Sequence, residues 1–223
     1  MSNPVLLVHG FATSARRTWQ EPGWIDLLTD AGREVIAPDL LGHGDNDKPH
    51  DTEAYAEVEE LVLAAIPEGA VVDAVGYSAG ARIVLTLAAK HPERFGKLVI
   101  AGMGARLFEP REDNPLLDAI EGRADPDDMV GLHFKQMSES DGNDPLALAA
   151  FLKRTPPPFT RDDAAGITNP TLVIIGDADF AGPGEPLAEA LPNATLVTLR
   201  NVDHFGLPKA MNFLMKSMDF LDV

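Results

Sequence analysis

The chain of 223 residues contains no cysteine at all. Disulfide bonds, thiolate metal sites and a cysteine nucleophile are therefore excluded. Any covalent chemistry in this protein must use another side chain.

Long apolar runs are also absent from the sequence. No stretch approaches the roughly 20 apolar residues that a helix needs to cross a bilayer. The first residues, Met1-Ser2-Asn3-Pro4, lack the basic start and the apolar run of a secretory signal. We therefore expect a cytoplasmic protein with no membrane partner.

Basic residues are few, since 18 Lys and Arg stand against 35 Asp and Glu and give a formal net charge of −17. Such a charge repels nucleic acid and anionic lipid, and it slows encounter with polyanionic substrates. We expect no nucleic-acid partner and a small molecule as substrate. The acidity is typical of a soluble surface and names no substrate by itself.

The sequence does contain an alternation of short apolar runs and helical stretches. Strands are predicted at residues 4–8, 34–37, 71–75, 98–101, 171–175 and 195–199. Helices are predicted at residues 24–31, 53–66, 79–90, 186–191 and 208–221. The strands are apolar throughout, which is typical of strands buried on both faces of a parallel sheet. The alternation predicts an α/β fold: an open, mostly parallel sheet of about six strands with helices on both faces.

The interval from residue 103 to 169 breaks this alternation. It shows no strand, and residues 116–120, 129–137 and 146–152 have the pattern of short helices. The run Pro156-Pro157-Pro158 stiffens the path back to the next strand. Because a structureless loop of this length is uncommon in a compact domain, we expect a helical cap at 103–169. Residues 1–102 and 170–223 then form the core domain.

The segment Gly76-Tyr77-Ser78-Ala79-Gly80 matches the pattern G-x-S-x-G and lies between a predicted strand and a predicted helix. This context is the one in which the motif presents a nucleophilic serine on a tight, strained turn. The helix that follows directs its N-terminal N–H groups toward negative charge that develops near the serine. We therefore predict Ser78 as the nucleophile rather than as part of a structural turn.

A serine hydroxyl needs a base, and the chain has six histidines. Five of them, His9, His43, His50, His91 and His133, lie on earlier loops, at a helix end or within the predicted cap. His204 alone lies on the loop after the last predicted strand, at the edge of the sheet where parallel strands place an active site. His204 is therefore the predicted base.

The acid that orients this base is expected after the strand at 171–175, in Gly176-Asp177-Ala178-Asp179. In this kind of triad the acid usually sits three positions after the glycine, which favours Asp179 over Asp177. Asp177 is then a turn residue that bonds its own loop. Asp203 ranks last, because adjacent side chains on an extended loop generally diverge.

The oxyanion hole needs two backbone donors. One is expected from Ala79, directly after the nucleophile, and the other from Phe11 in the loop after the first strand. A substrate pocket is predicted from apolar side chains, although each would serve equally well in core packing. The predicted pocket residues are Tyr77, Phe180, Phe205, Phe108, Met129 and Phe134, and Leu107 and Met137 are further candidates.

These segments together resemble the α/β-hydrolase superfamily, in particular its compact single-domain serine esterases and lactonases. The resemblance rests on His9-Gly10-Phe11 with Trp19, Asp39 to Gly44, Gly76 to Gly80, Gly176 to Asp179, and Asp203-His204-Phe205. The order serine, acid, histidine is also that of the family. Two departures stand out: the family's N-terminal hairpin is missing, and Ala81 stands where many members carry a second glycine.

The resemblance implies a serine hydrolase that cleaves a small, moderately apolar carboxylic ester or lactone through an acyl-enzyme on Ser78. A serine at position 78 argues against dehalogenases and ordinary epoxide hydrolases, which have an aspartate there. Carbon–carbon bond hydrolases, lyases and perhydrolases share the triad, and some members act as slow ligand receptors, so these alternatives stay open. No cofactor and no metal are expected, and the protein is expected to be a monomer or a homodimer.

Overall fold

The computed structural model describes residues 2–109 and 114–223 of the chain. Its strands are β1 (Val5–Val8), β2 (Val35–Ile36), β3 (Val72–Tyr77), β4 (Phe95–Ala101), β5 (Thr171–Gly176) and β6 (Ala194–Leu199). Its α-helices are α1 (Trp24–Asp30), α2 (Val58–Ala64), α3 (Ala79–Lys90), α4 (Pro115–Ile120), α5 (Met129–Ser138), α6 (Pro145–Lys153), α7 (Arg161–Gly166), α8 (Glu185–Ala190) and α9 (Met211–Leu221).

The six strands form one sheet in the order β2-β1-β3-β4-β5-β6, and every neighbouring pair is parallel. The predicted α/β fold class, with an open sheet of six strands, is confirmed. Since all strands run the same way, the loops that follow β1, β3, β5 and β6 lie at one edge of the sheet. That edge carries the candidate site.

Side chains that alternate along each strand build a core on both faces of the sheet. Leu6 and Val8 of β1 pack into a cluster with α2, α3, α8 and the cap helices. Val5 and Leu7 of the same strand pack into the opposite cluster with α1 and α9. The prediction of helices on both faces is therefore confirmed.

The predicted burial of every strand on both faces is wrong for β6. Several residues of β6 are exposed or half-buried, because this strand lies at the edge of the sheet and pairs with β5. At the other edge, β2 has only two paired residues. A short edge strand offers little backbone for unwanted pairing with another chain.

Two predicted helices are interrupted. The helix predicted at 53–66 consists of a 3₁₀ turn, Thr52–Tyr55, and α2, because the backbone leaves helical geometry at Glu57 (φ −120°, ψ 35°). The helix predicted at 208–221 likewise consists of a 3₁₀ turn, Leu207–Lys209, and α9, with an extended Ala210 between them.

The segment between β4 and β5 contains α4, α5 and α6, near the predicted positions, and we call these three helices the cap segment. Residues 110–113 of the predicted cap lie outside the described part of the chain. The cap residues Phe134, Leu148 and Phe151 are buried in the same cluster as β1 and α3. The domain limits 103–169 stay a prediction.

A fourth helix in this interval, α7, was not predicted. It begins at Thr160, where a capping box joins Thr160 and Asp163: each side chain bonds the backbone N–H of the other residue. The pattern threonine, two residues, then an acid is a sequence signal for a helix start. Its six residues are too few to show a clear helical period.

No helix in residues 2–109 or 114–223 is long and apolar enough to cross a membrane.

Candidate active site

Ser78 stands at the turn between β3 and α3 with a positive φ (φ 55°, ψ −116°). Such a conformation is costly for a residue with a Cβ and persists only where the surroundings hold it. Gly80 explains part of this constraint, since a methyl group there would lie 2.2 Å from the Val8 carbonyl oxygen. The G-x-S-x-G pattern is therefore a packing requirement that lifts Ser78 above the sheet.

His204 and Asp179 extend a chain of hydrogen bonds from this serine. The Ser78 hydroxyl lies 2.9 Å from His204 Nε2. On the other side of the ring, His204 Nδ1 lies 2.9 Å and 3.0 Å from the two carboxylate oxygens of Asp179. Because Asp179 accepts at Nδ1, that nitrogen carries the proton and Nε2 is left to accept from the serine hydroxyl. This is the geometry of a general base poised on a nucleophile.

Burial and further contacts fix the imidazole. The exposed fraction of His204 is 2% and that of Asp179 is 8%. The Tyr77 hydroxyl donates to the His204 carbonyl oxygen over 2.7 Å, and the Phe180 ring lies 4.2 Å from the imidazole. Burial, followed by the charges of Asp179 and Asp203, raises the pKa of Tyr77, so its hydroxyl stays protonated and keeps donating.

The three candidate acids, Asp177, Asp179 and Asp203, differ in their hydrogen-bond partners. Asp179 faces His204 and also accepts the Ala181 N–H over 2.8 Å. Asp177 is exposed and accepts the Asn201 N–H over 2.8 Å, which ties two loops together. Asp203 accepts the Gly206 N–H over 2.7 Å in its own turn. The structure thus brings Asp179, and neither of the other two, to the predicted base.

The predicted oxyanion donors belong to two segments next to Ser78, the start of α3 and the loop that follows β1. Ala79 is the first residue of α3, where a backbone N–H has no carbonyl partner within the helix. The β1 loop passes close by, because a methyl group on Gly10 would lie 3.3 Å from Ser78 Cβ. Phe11 follows in that loop and is buried. The roles of Phe11 and Ala79 stay predictions that this placement supports.

His9 and His43 belong to the support of the β1 loop. His9 Nε2 accepts the Leu40 N–H over 2.9 Å, and its Nδ1 donates to the Gly10 carbonyl oxygen over 2.7 Å. Burial lowers the pKa of His9, and burial together with the charge of His9 lowers the pKa of His43 to about 3. Both rings are therefore neutral at pH 7.

Aromatic side chains surround the triad. Phe134 of α5 contacts one ring from each of three loops: its centroid lies 5.9 Å from Phe11, 6.1 Å from Phe180 and 5.1 Å from Phe205. These loops follow β1, β5 and β6, and Phe180 and Phe205 adjoin Asp179 and His204 in sequence. A single cap side chain therefore covers the candidate oxyanion loop, the acid loop and the histidine loop together.

Other predicted pocket residues are placed differently. Phe108 stacks on Phe159, and the Arg161 guanidinium lies over the Phe108 ring, so this side chain packs against the start of α7. Met129 is 73% exposed, which gives no support to its predicted place in the pocket. The buried candidate Leu107 and half-buried Met137 belong to the core cluster shared with the cap helices.

Sequence reasoning missed three residues near this site. Phe151 of α6 lies 5.7 Å from Phe11, and His133 of α5 lies 4.0 Å from Phe205, both between ring centroids. Asn143, between α5 and α6, donates to the Ala12 carbonyl oxygen of the β1 loop. No local sequence motif identifies these three residues, because their contacts depend on how the cap segment packs against the core domain.

No group of three or more His, Asp or Glu side chains within the described ranges is arranged to hold a metal ion.

A serine, an aspartate and a histidine in this chain order, on an open parallel sheet, are typical of one class of hydrolase. The family model described as alpha/beta hydrolase fold matches residues 3–129, more than half of the chain. The chain therefore belongs to the α/β-hydrolase fold family, which confirms the resemblance found in the sequence.

Two relatives and one solved structure illustrate the range of this family. The chain is 30% identical to a 2-hydroxymuconate semialdehyde hydrolase of Pseudomonas sp. (strain CF600), over 87% of this chain and 68% of that protein. It is 31% identical to a pimeloyl-[acyl-carrier protein] methyl ester esterase of Neisseria meningitidis, over 98% of this chain and 93% of that protein. The crystal structure of an enol-lactonase from Burkholderia xenovorans LB400 superimposes with a TM-score of 0.72 at 23% identity, over 100% of this chain and 92% of that one.

Proposed function

We propose that the protein is a serine hydrolase that cleaves a small, moderately apolar carboxylic ester or lactone. The observation that carries the proposal is the hydrogen-bonded chain from Ser78 through His204 to Asp179. A hydroxyl with a buried, oriented imidazole at 2.9 Å needs no further rearrangement to lose its proton.

The chemistry proceeds in two halves. His204 Nε2 takes the Ser78 proton as Oγ attacks the carbonyl carbon, and the negative oxygen is held by the N–H groups of Phe11 and Ala79. The tetrahedral intermediate collapses, and the alcohol leaves with the proton from His204. Water then gives a proton to His204 and attacks the acyl carbon. As this second intermediate collapses, His204 returns the proton to Ser78 Oγ, and the carboxylic acid is released. Asp179 stabilises the imidazolium in both halves.

The surroundings of the triad support an apolar substrate. The Phe180 ring lies 4.2 Å from the His204 imidazole, and Phe134 and Phe205 pack against Phe180, so these neighbours of His204 are apolar rings rather than charged groups. The net charge of −17 disfavours polyanionic substrates. The similarity of this chain to a protein named a methyl ester esterase and to one named an enol-lactonase supports an ester or a lactone as the substrate.

A carbon–carbon bond hydrolase is the second candidate, and the relative named 2-hydroxymuconate semialdehyde hydrolase favours it. The same triad serves both chemistries, so fold and triad geometry do not separate them. A panel of p-nitrophenyl esters, lactones and β-diketones separates them by which bond is cleaved fastest.

The proposal predicts an acyl group on Ser78 during turnover. Acid quenching of the enzyme during hydrolysis of p-nitrophenyl butyrate, followed by peptide mass analysis, is expected to find a butyryl group on the peptide that contains Ser78. Steady release of p-nitrophenol without any acylated serine would contradict the acyl-enzyme route. A single slow burst that leaves the protein permanently modified would favour a ligand receptor.

Phe134 is expected to limit the length of the substrate chain. Replacing it by alanine opens space above the triad, and each buried methylene group contributes about 0.8 kcal/mol, or roughly fourfold in kcat/KM. For Phe134→Ala we expect the ratio of kcat/KM for hexanoate to that for acetate to rise about tenfold or more, as measured with p-nitrophenyl esters.

The matched control for this prediction is Phe159→Ala, which removes an equally large buried ring that stacks on Phe108. Its chain-length ratio is expected to stay as in the wild type. Because a buried Phe→Ala change costs about 3–5 kcal/mol of stability, Phe134→Leu is measured as a milder variant. An unchanged ratio in both folded Phe134 variants would refute this role.

A further inference from the structure

The cap segment is tied by hydrogen bonds to the loop that follows β1. Asn143 Nδ2, in the connection between α5 and α6, donates to the Ala12 carbonyl oxygen over 3.0 Å. The same amide group donates to the Met137 carbonyl oxygen near the end of α5 over 2.8 Å. Asn143 therefore joins the helix that carries Phe134 to the residue directly after Phe11.

The backbone of Ala12 explains why this bond matters. Ala12 is fully buried and has a left-handed conformation with φ of 57°. A residue with a Cβ is disfavoured in this region, so its conformation must be held by contacts around it. Asp39 holds the loop further on, at the Ala15 N–H over 2.7 Å. The bond from Asn143 holds Ala12 itself.

A second contact supports the same arrangement. The Arg17 guanidinium donates to the Ser140 hydroxyl and to the Asp141 carbonyl oxygen, each over 2.8 Å. The connection that contains Asn143 is thus held against the β1 loop at two places. A shift of the cap segment would be transmitted to the conformation of that loop.

We propose that Asn143 is a positioning residue for the oxyanion hole. By fixing the Ala12 carbonyl group, it holds the preceding Phe11 N–H in the direction of the oxygen bound at Ser78. The orientation of this donor then depends on the contact between the cap segment and the loop that follows β1. This inference rests on the proposed serine hydrolase function and adds a positioning residue to the same site.

The test compares Asn143→Ala with the wild type in two assays. An oxyanion donor displaced by about 1 Å costs up to about 100-fold in rate, so we expect kcat to fall about 10- to 100-fold. KM is expected to stay within about threefold. The rate at which a fluorophosphonate labels Ser78 should fall by the same factor as kcat, because that reaction also places a negative oxygen in the hole.

Two further variants control for loss of structure. Asn143→Asp keeps the size of the side chain and removes its N–H donors at pH 7, so it should reproduce the effect of alanine. Asn114→Ala removes an asparagine whose amide bonds Leu152 within the cap segment and which caps α4. This change removes bonds within the cap segment but leaves the contacts of Asn143 and Arg17 between the cap segment and the β1 loop in place, so kcat should stay within about threefold. Thermal unfolding is measured for each variant.

Wild-type kcat and labelling rates in both folded Asn143 variants would overturn the proposal, as would an equal loss in Asn114→Ala. The labelling assay separates this inference from the proposed function. If the wild-type protein is labelled at Ser78 but hydrolyses no ester or lactone, the proposed function fails and the labelling rates still decide the role of Asn143. A wild-type protein that is never labelled would overturn both.

Discussion

Replacing Ser78 by alanine is expected to lower kcat for p-nitrophenyl esters by about 10⁶-fold, with KM little changed. In the proposed mechanism the Ser78 hydroxyl is the triad group that forms a covalent bond to the substrate, so its removal leaves no acyl-enzyme route. Replacing His204 by alanine should cost nearly as much, because the Ser78 hydroxyl then keeps its proton. The double variant should be no slower than either single one, since the two side chains act as one unit.

The matched control is Ser217→Ala. Ser217 is a fully buried serine of α9, on the face of the sheet opposite to α3. Its hydroxyl donates to the Phe213 carbonyl oxygen over 2.8 Å. This variant also loses a serine hydroxyl, yet its kcat should match that of the wild type. Initial rates with acetate and butyrate esters give the comparison. If Ser78→Ala hydrolysed them as fast as the wild type, the whole mechanism would fail.

The positions of Ser78 and His204 could be predicted because local constraints and chain order point to them. The tight turn at Ser78 requires glycine at Gly80, where any side chain would clash with the Val8 carbonyl group. His204 follows from the rule that loops at the carboxyl ends of parallel strands carry the site. Both signals are contained in short segments of sequence, and the structure places the two side chains in contact.

The choice between Asp177 and Asp179 as the triad acid is harder to make from the sequence, because both residues lie in one short turn. Which carboxylate faces His204 depends on the partner that the other one finds, and that partner, the Asn201 N–H, lies on a loop 24 residues away. In such triads the acid usually lies three positions after the glycine, which favoured Asp179, and the hydrogen bond between Asp179 and His204 agrees with this choice.

The placement of the cap segment could not be read from the sequence. Its three helices were predicted close to their observed limits from apolar spacing and breaks. Their orientation depends on long-range contacts such as Asn143 with Ala12 and Phe134 with three loops. The exposure of Met129 follows from the same orientation, which apolar character alone did not reveal. The edge position of β6 was missed for a similar reason, since strand order is not encoded in any single strand.

The second large effect is expected from Asp179→Asn. The amide keeps the shape of the side chain but offers one N–H group and no negative charge to His204. The imidazole then favours the tautomer with its proton on Nε2, where it can no longer accept from Ser78, and the imidazolium loses its counter-charge. We expect kcat to fall about 10⁴-fold, as such a change does in a serine triad, while the protein stays folded.

Asp177→Asn provides the matched control, because it makes the same chemical change two residues away. Its remaining carbonyl oxygen can still accept the Asn201 N–H, so kcat should stay within about twofold and the two loops should stay joined. Both variants are assayed with p-nitrophenyl butyrate and for fluorophosphonate labelling of Ser78. A collapse of activity in Asp177→Asn with Asp179→Asn unaffected would reverse the assignment of the acid. Because the two carboxylates share one turn and differ in their partners, this pair isolates the contribution of the bond to His204 from that of the turn itself.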